Sequence, residues 1–144
     1  PWWKPKAKGA IVGLTLSSTK AHVIRAAVES IAFQVTDLIK TMTDTAGIEL
    51  KEIRVDGGPT KNQFLMQLQA DLLQVQVVRS EVEDASAIGA FVMNGFARKQ
   101  WKSFEEAAAI WKGGGGMMPK ADNTSSVINS YAGWRNAVMQ VTRS

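Results

Sequence analysis

The chain has 144 residues, of which 45% are hydrophobic and 21% charged, and its net charge is +4. This composition is typical of one soluble globular domain and excludes a disordered or collagen-like chain. With no cysteine and a single histidine, His22, the sequence offers no disulfide, no thiol nucleophile and no multi-histidine metal site. The basic residues are scattered rather than gathered on one face, and no apolar run reaches the ~20 residues of a membrane helix. We therefore expect neither a nucleic-acid nor a membrane partner.

The first half of the chain predicts a strand, a long helix and a second strand. Residues 9–16 form a short apolar run with strand character. A helix is predicted over residues 20–45, ending at Gly47, and residues 48–55 follow as a strand. One face of this helix is apolar and is predicted to be buried; it comprises Ile24, Val28, Ile31, Val35, Leu38 and Met42.

The second half predicts mainly helices. A helix over residues 60–73 buries Phe64, Leu65, Leu68 and Leu72, and residues 75–78 form a short strand. Helices follow over residues 84–98, after Ser103 and over residues 126–141, and residues 113–116, four glycines, are predicted to be a flexible break. The order β-α-β-α-β-α-α indicates an α/β fold with a narrow, mainly parallel sheet. Because three strands are few for so many helices, we expect the sheet to be incomplete.

The junction at residues 55–62, Val-Asp-Gly-Gly-Pro-Thr-Lys-Asn, is the strongest candidate for a site. Ligands of α/β folds bind at the carboxyl ends of strands, and glycines allow close approach to the backbone. The amide of Asn62 carries a donor and an acceptor that suit a nucleobase edge. Gly57 and Gly58 could equally form only a tight turn, and Asp56 could cap the turn or order water around a metal–phosphate group. His22 is interpreted as structural, because no carboxylate lies near it in the sequence.

Four stretches, in order, resemble the FGGY family of carbohydrate kinases. They are Pro1-Trp2-Trp3-x-Pro5 with Lys8 to Thr15, then Thr19-Lys20-Ala21-His22, then Arg54-Val55-Asp56-Gly57-Gly58 with Asn62 and Phe64-Leu65-Met66-Gln67, and Tyr131-Ala132-Gly133-Trp134. The first, second and last are similar to glycerol kinases, while the third resembles the adenosine-binding motif of the family.

This resemblance implies a partial ribonuclease H-like domain of the actin-like ATPase type. Residues 1–144 would be the later part of the C-terminal, nucleotide-binding domain, truncated at its start. Gly57, Gly58 and Asn62 would contact the nucleotide, and Asp56 could belong to the metal-water or phosphate shell.

The implied activity is transfer of the ATP γ-phosphoryl group to a sugar or polyol hydroxyl, with ATP and Mg²⁺ as cofactors. The catalytic base and most of the substrate site would belong to an N-terminal domain that the chain lacks, so the chain alone is expected to be inactive. We expect a cytoplasmic homo-oligomer. The alternatives are a kinase of another sugar, such as xylulose or gluconate, and a non-enzymatic self-association domain.

Overall fold

The computed structural model describes residues 4, 6–81, 84–108 and 113–142. In chain order its helices and strands are α1 (Lys20–Ala46), β1 (Glu52–Val55), α2 (Gln63–Leu73), β2 (Gln76–Ser80), α3 (Ala85–Ala97), α4 (Phe104–Ala108), β3 (Gly113–Met117) and α5 (Thr124–Thr142). Short 3₁₀ turns cover Gly58–Lys61 and Ala121–Asn123. None of the described helices combines the length and the apolar character that a membrane-spanning helix needs. The Trp-Trp pair at the start of the chain lies outside the described residues.

Local capping signals fix both ends of α1. At its start, the backbone N–H of Thr19 donates to Nδ1 of His22 at 3.0 Å and closes the first turn. At its end, Gly47 adopts a left-handed conformation with φ 63°, and its N–H bonds to the Thr43 carbonyl. The predicted helix is thus confirmed almost to the residue, and His22 acts as a helix-capping side chain.

The predicted buried face of α1 is wrong. Ile24, Ile31 and Leu38 are 54%, 46% and 50% exposed, and of the predicted row only Val28 packs against the core. The buried residues of α1 lie on another face and are Ala32, Phe33, Thr36 and Asp37. This inward face includes the polar residues Thr36 and Asp37. Their hydroxyl and carboxylate form hydrogen bonds with α2 and α5, which removes most of the cost of burying them.

Residues 9–16 do not form the predicted strand. They have no regular secondary structure, and Ile11, Val12 and Leu14 are 62%, 53% and 59% exposed. A strand is stabilised by backbone hydrogen bonds to a neighbouring strand. No strand of the described residues pairs with this segment, so its apolar composition alone does not make it a strand.

The sheet has three strands in the order β1-β2-β3. β1 and β2 are parallel, with Ile53 opposite Val77, while β3 is antiparallel to β2, with Met117 opposite Val77. The narrow sheet is confirmed, but it is mixed rather than mainly parallel, and its third strand contains the four glycines predicted to be a flexible break. Glycine is needed in this strand, because a Cβ on Gly114 would lie only 2.9 Å from the Arg79 carbonyl oxygen.

The core lies between the sheet and three helices, α1, α2 and α5. Its buried members are Ala32, Phe33, Leu65, Met66, Leu68, Ala70, Leu72, Val77 and Tyr131. Phe33 contacts the rings of both Tyr131 and Trp134, with centroids 5.9 and 5.7 Å apart. Three aromatic rings thus join α1 to α5.

Polar side chains connect the same helices inside this core. Gln69 on α2 donates from Nε2 to the Thr36 hydroxyl on α1 at 2.9 Å. The hydroxyl of Tyr131 donates to the Asp37 carboxylate, and Nε of Arg135 lies 4.0 Å from the same carboxylate. Burial, together with this hydrogen bond and the Asp37 charge, raises the pKa of Tyr131 from 10.0 to about 12.

We predict that alkaline pH weakens the fold through Tyr131, the only tyrosine of the chain. As the pH rises above 10, the tyrosine ionises in the unfolded chain, whereas the folded chain keeps its proton until about pH 12. The free energy of unfolding should therefore fall by about 2–3 kcal/mol across this range.

Tyrosinate absorbance of the native chain, and denaturant unfolding at several pH values, measure this effect. Tyr131→Phe should be less stable than the wild type at neutral pH but should lack the alkaline loss. A native tyrosine that titrates near its ordinary pKa of 10.0 would contradict the prediction.

Candidate functional site

The loop from β1 to α2 holds every residue that the sequence singles out as a candidate for ligand contact. It begins after Val55, which lies opposite Arg79 of the parallel strand β2. Both strands therefore end at the same edge of the sheet, and the 3₁₀ turn Gly58–Lys61 leads directly into α2. This is the position at which open α/β sheets bind ligands.

Gly57 is required by the backbone of this loop. Its dihedral angles are φ 88° and ψ 173°, a combination that essentially only glycine adopts. Its carbonyl oxygen accepts two hydrogen bonds from Thr60, one from the backbone N–H at 3.1 Å and one from Oγ1 at 2.7 Å. A tight turn therefore fully explains this glycine.

Gly58 is different, because the fold does not require glycine there. Its φ is not positive, and a Cβ built on it would meet no atom within 4 Å. The residue is exposed and begins a 3₁₀ turn, where backbone N–H groups have no partner within the turn itself. Gly58 thus leaves bare backbone on the outside of the loop, which a ligand could approach closely.

Asn62 is the N-cap of α2. Its side-chain oxygen accepts the Leu65 N–H at 3.1 Å, and the residue itself is exposed. The acceptor of the amide is therefore occupied by the cap, which leaves the Nδ2 donor for any ligand. Asp56 is also exposed, in the loop just after β1. The four predicted residues lie together on one loop, and two of them, Gly57 and Asn62, have a structural role as well.

A cleft beside this loop was not predicted from the sequence. It has a volume of about 340 Å³ and lies between the loop, the end of β2 and β3. Its polar lining includes Thr60, Gln63, Arg79 and Glu81, and residues 114–116 supply bare backbone. The glycines were visible in the sequence, but their pairing with β2, more than 30 residues earlier, leaves no local signal.

This arrangement can bind a ligand but offers little for catalysis. The loop offers bare backbone at Gly58, an amide donor at Asn62 and a carboxylate at Asp56. The neighbouring cleft, which these three residues do not line, adds the guanidinium of Arg79. Across the described ranges, no three His, Cys, Asp or Glu side chains lie close enough together to hold a metal ion. His22 is engaged at the start of α1. These groups suit the binding of a ligand that has a polar ring and an anionic group, but they do not include the acid and base of a catalytic pair.

Residues 1–98 match the family model described as "FGGY family of carbohydrate kinases, C-terminal domain". Among curated proteins, the glycerol kinase of Alkaliphilus metalliredigens (strain QYMF) is 44% identical over 138 residues. That of Petrotoga mobilis (strain DSM 10674 / SJ95) is 45% identical over 139 residues. Each alignment covers 96% of this chain, but the chain spans only 27–28% of the length of these relatives.

Solved structures of kinases share the fold. Plasmodium falciparum glycerol kinase with ADP superposes with a TM-score of 0.80 and 29% identity, covering 98% of this chain and 28% of that one. Xylulose kinase from Lactobacillus acidophilus gives a TM-score of 0.81 at 24% identity, covering 96% of this chain and 29% of that one. These likenesses confirm the expected α/β fold of the actin-like ATPase type.

We predict different effects on stability for alanine at the two glycines. Gly57→Ala forces a side chain into a glycine-only conformation and should destabilise the fold by about 1–3 kcal/mol. Gly58→Ala introduces a methyl group into open space and restricts the unfolded chain, so stability should stay equal or rise by up to about 1 kcal/mol. Denaturant unfolding of both variants measures the difference, and equal losses would show that both glycines serve only the turn.

Proposed function

Since the chain belongs to the FGGY family of carbohydrate kinases, we propose that it is the ATP-binding part of a polyol kinase. Residues 1–144 form the later part of its C-terminal, nucleotide-binding domain. The whole enzyme transfers the γ-phosphoryl group of ATP to a hydroxyl of glycerol or a similar polyol, in the cytoplasm. Identities of 44–45% with glycerol kinases support this substrate over xylulose or gluconate.

The main support for this proposal is that the fold does not require a glycine at position 58. Its neighbour Gly57 is explained by backbone geometry, but Gly58 has ordinary φ and open space at its Cβ position. A glycine that the fold does not need, at the carboxyl end of a parallel strand, supports a role in binding. In this proposal, the nucleotide packs against the bare backbone of Gly57 and Gly58.

Asn62 and Asp56 have distinct roles in binding. The Nδ2 group of Asn62 donates to the edge of the adenine ring, while its oxygen maintains the helix cap. Mg²⁺ usually keeps several waters and binds through one or two carboxylates together with substrate phosphates, so the single exposed carboxylate of Asp56 fits it. When bound, the ion neutralises charge on the phosphoryl group. The catalytic base and the polyol pocket belong to the N-terminal domain, so this chain by itself binds nucleotide without turning it over.

We predict that nucleotide binding depends on Gly58 and Asn62 in separable ways. A methyl group in Gly58→Ala should hold the ligand away from the backbone and raise the Kd for ADP about tenfold or more. Asn62→Ser keeps a good N-cap but lacks the amide donor, so it should lose preference for ADP over GDP.

Isothermal titration or chemical-shift titration of the 144-residue chain with ADP and GDP makes these measurements. Unfolding experiments on the same samples establish that neither variant is destabilised. Wild-type affinity in Gly58→Ala would overturn the proposed backbone contact, and an unchanged ADP preference in Asn62→Ser would overturn the adenine contact.

We also propose, as a second candidate function, that the chain self-associates as a homo-oligomer through α1. The exposed row Ile24, Ile31 and Leu38 runs along that helix, and contiguous exposed apolar surface often marks a protein interface. This function would not require a nucleotide.

Sedimentation across a range of concentrations, with and without ADP, should then show association that ADP leaves unchanged. Leu38→Gln should weaken it, whereas Ile48→Gln, an equally apolar position that is 62% exposed but lies beyond the helix, should not. A monomer at every concentration would reject self-association.

A further inference from the structure

Thr60 lies beneath the candidate site and was not singled out by its sequence pattern. It is 8% exposed and sits in the middle of the 3₁₀ turn between Gly57 and Asn62. We propose that its hydroxyl is a positioning group for the nucleotide, acting through the Gly57 carbonyl. This inference rests on the proposed function, because it assigns a role in the same nucleotide site.

Both hydrogen-bond donors of Thr60 reach the same acceptor atom. Its backbone N–H and its Oγ1 donate to the carbonyl oxygen of Gly57 at 3.1 and 2.7 Å. The backbone bond alone is enough to close the turn, so the hydroxyl adds a second, shorter constraint to a carbonyl that is already bonded. The peptide plane between Gly57 and Gly58 is therefore held from one side by two donors.

This plane matters because it contains the N–H of Gly58. Glycine has more backbone freedom than any other residue type, so the ψ angle of Gly57 can vary unless neighbouring groups restrain it. Rotation about the Cα–C bond of Gly57 would turn the Gly58 N–H and change the backbone surface presented to a ligand. By fixing the carbonyl, the Thr60 hydroxyl orders this surface before the nucleotide arrives, which lowers the entropy lost on binding.

The cleft beside the loop is not lined by Gly57, Gly58 or Asn62, so Thr60 acts on the nucleotide through the Gly57 carbonyl and not through the cleft. Thr60 and Gln63 line that cleft together with Arg79 from the end of β2. The side chain is nevertheless almost fully buried, and its hydroxyl proton is used by the Gly57 carbonyl. Thr60 is thus a positioning residue and not a catalytic one.

The variants Thr60→Val and Thr60→Ser distinguish the effect of the hydroxyl from the effect of the side-chain shape. Valine keeps the β-branched shape without the donor, and serine keeps the donor with one methyl group fewer. We expect Thr60→Val to raise the Kd for ADP about fivefold and Thr60→Ser to stay within about twofold of the wild type. Thr41→Val is the matched control, because Thr41 also donates from Oγ1 to a backbone carbonyl, at 2.7 Å, but on α1.

Backbone ¹⁵N relaxation of the nucleotide-free chain measures motion at Gly57 and Gly58, which a general change in stability does not alter. Motion at these two residues should increase in Thr60→Val, return to the wild-type level in Thr60→Ser, and stay unchanged in Thr41→Val. Wild-type ADP affinity in Thr60→Val, or equal weakening in Thr41→Val, would overturn the role of Thr60 alone. Absence of ADP binding by the wild-type chain would instead overturn the proposed function, and the relaxation data would still show whether Thr60 orders the loop.

Discussion

The buried carboxylate of Asp37 is the constraint on which the packing of the chain depends. It is 7% exposed, accepts a hydrogen bond from Tyr131 and lies 4.0 Å from Nε of Arg135. A carboxylate is costly to bury unless it is paired and hydrogen-bonded. The face of α1 that carries Asp37 must therefore meet α5, and this requirement sets the rotation of the longest helix about its own axis.

That rotation determines where the candidate site lies. With Asp37 against α5, Thr36 on the same face accepts a hydrogen bond from Gln69 and so holds α2. The residues that α2 buries between α1 and the sheet, Leu65 and Leu68 among them, then fix the direction of the helix. The N-terminus of α2 is brought to the end of β1. The loop that joins them has one glycine that its backbone requires, Gly57, and one that it does not, Gly58. A polar contact in the core thus orients a loop on the surface.

Several features could be predicted because they depend on neighbours in the sequence. The end of α1 at Gly47 and the start of α3 at Asp84 require only residues within a turn. The loop with Gly57 and Gly58 was likewise visible as a junction between a strand and a helix. The inward face of α1 was mispredicted for the opposite reason, since periodicity identifies an apolar face but not the partner that covers a face.

Motifs and caps are read from residues that are close along the chain, and they were enough to assign the family, the main helices and the position of the candidate loop. The tertiary structure was needed to show that the four glycines belong to a strand, because this depends on their pairing with β2, where the Arg79 carbonyl oxygen leaves no room for a Cβ at Gly114. It also decided that Gly57 serves the turn while Gly58 does not, and that Thr60 holds the carbonyl between them. These distinctions depend on dihedral angles and on the space around each residue, which no local pattern of residue types specifies.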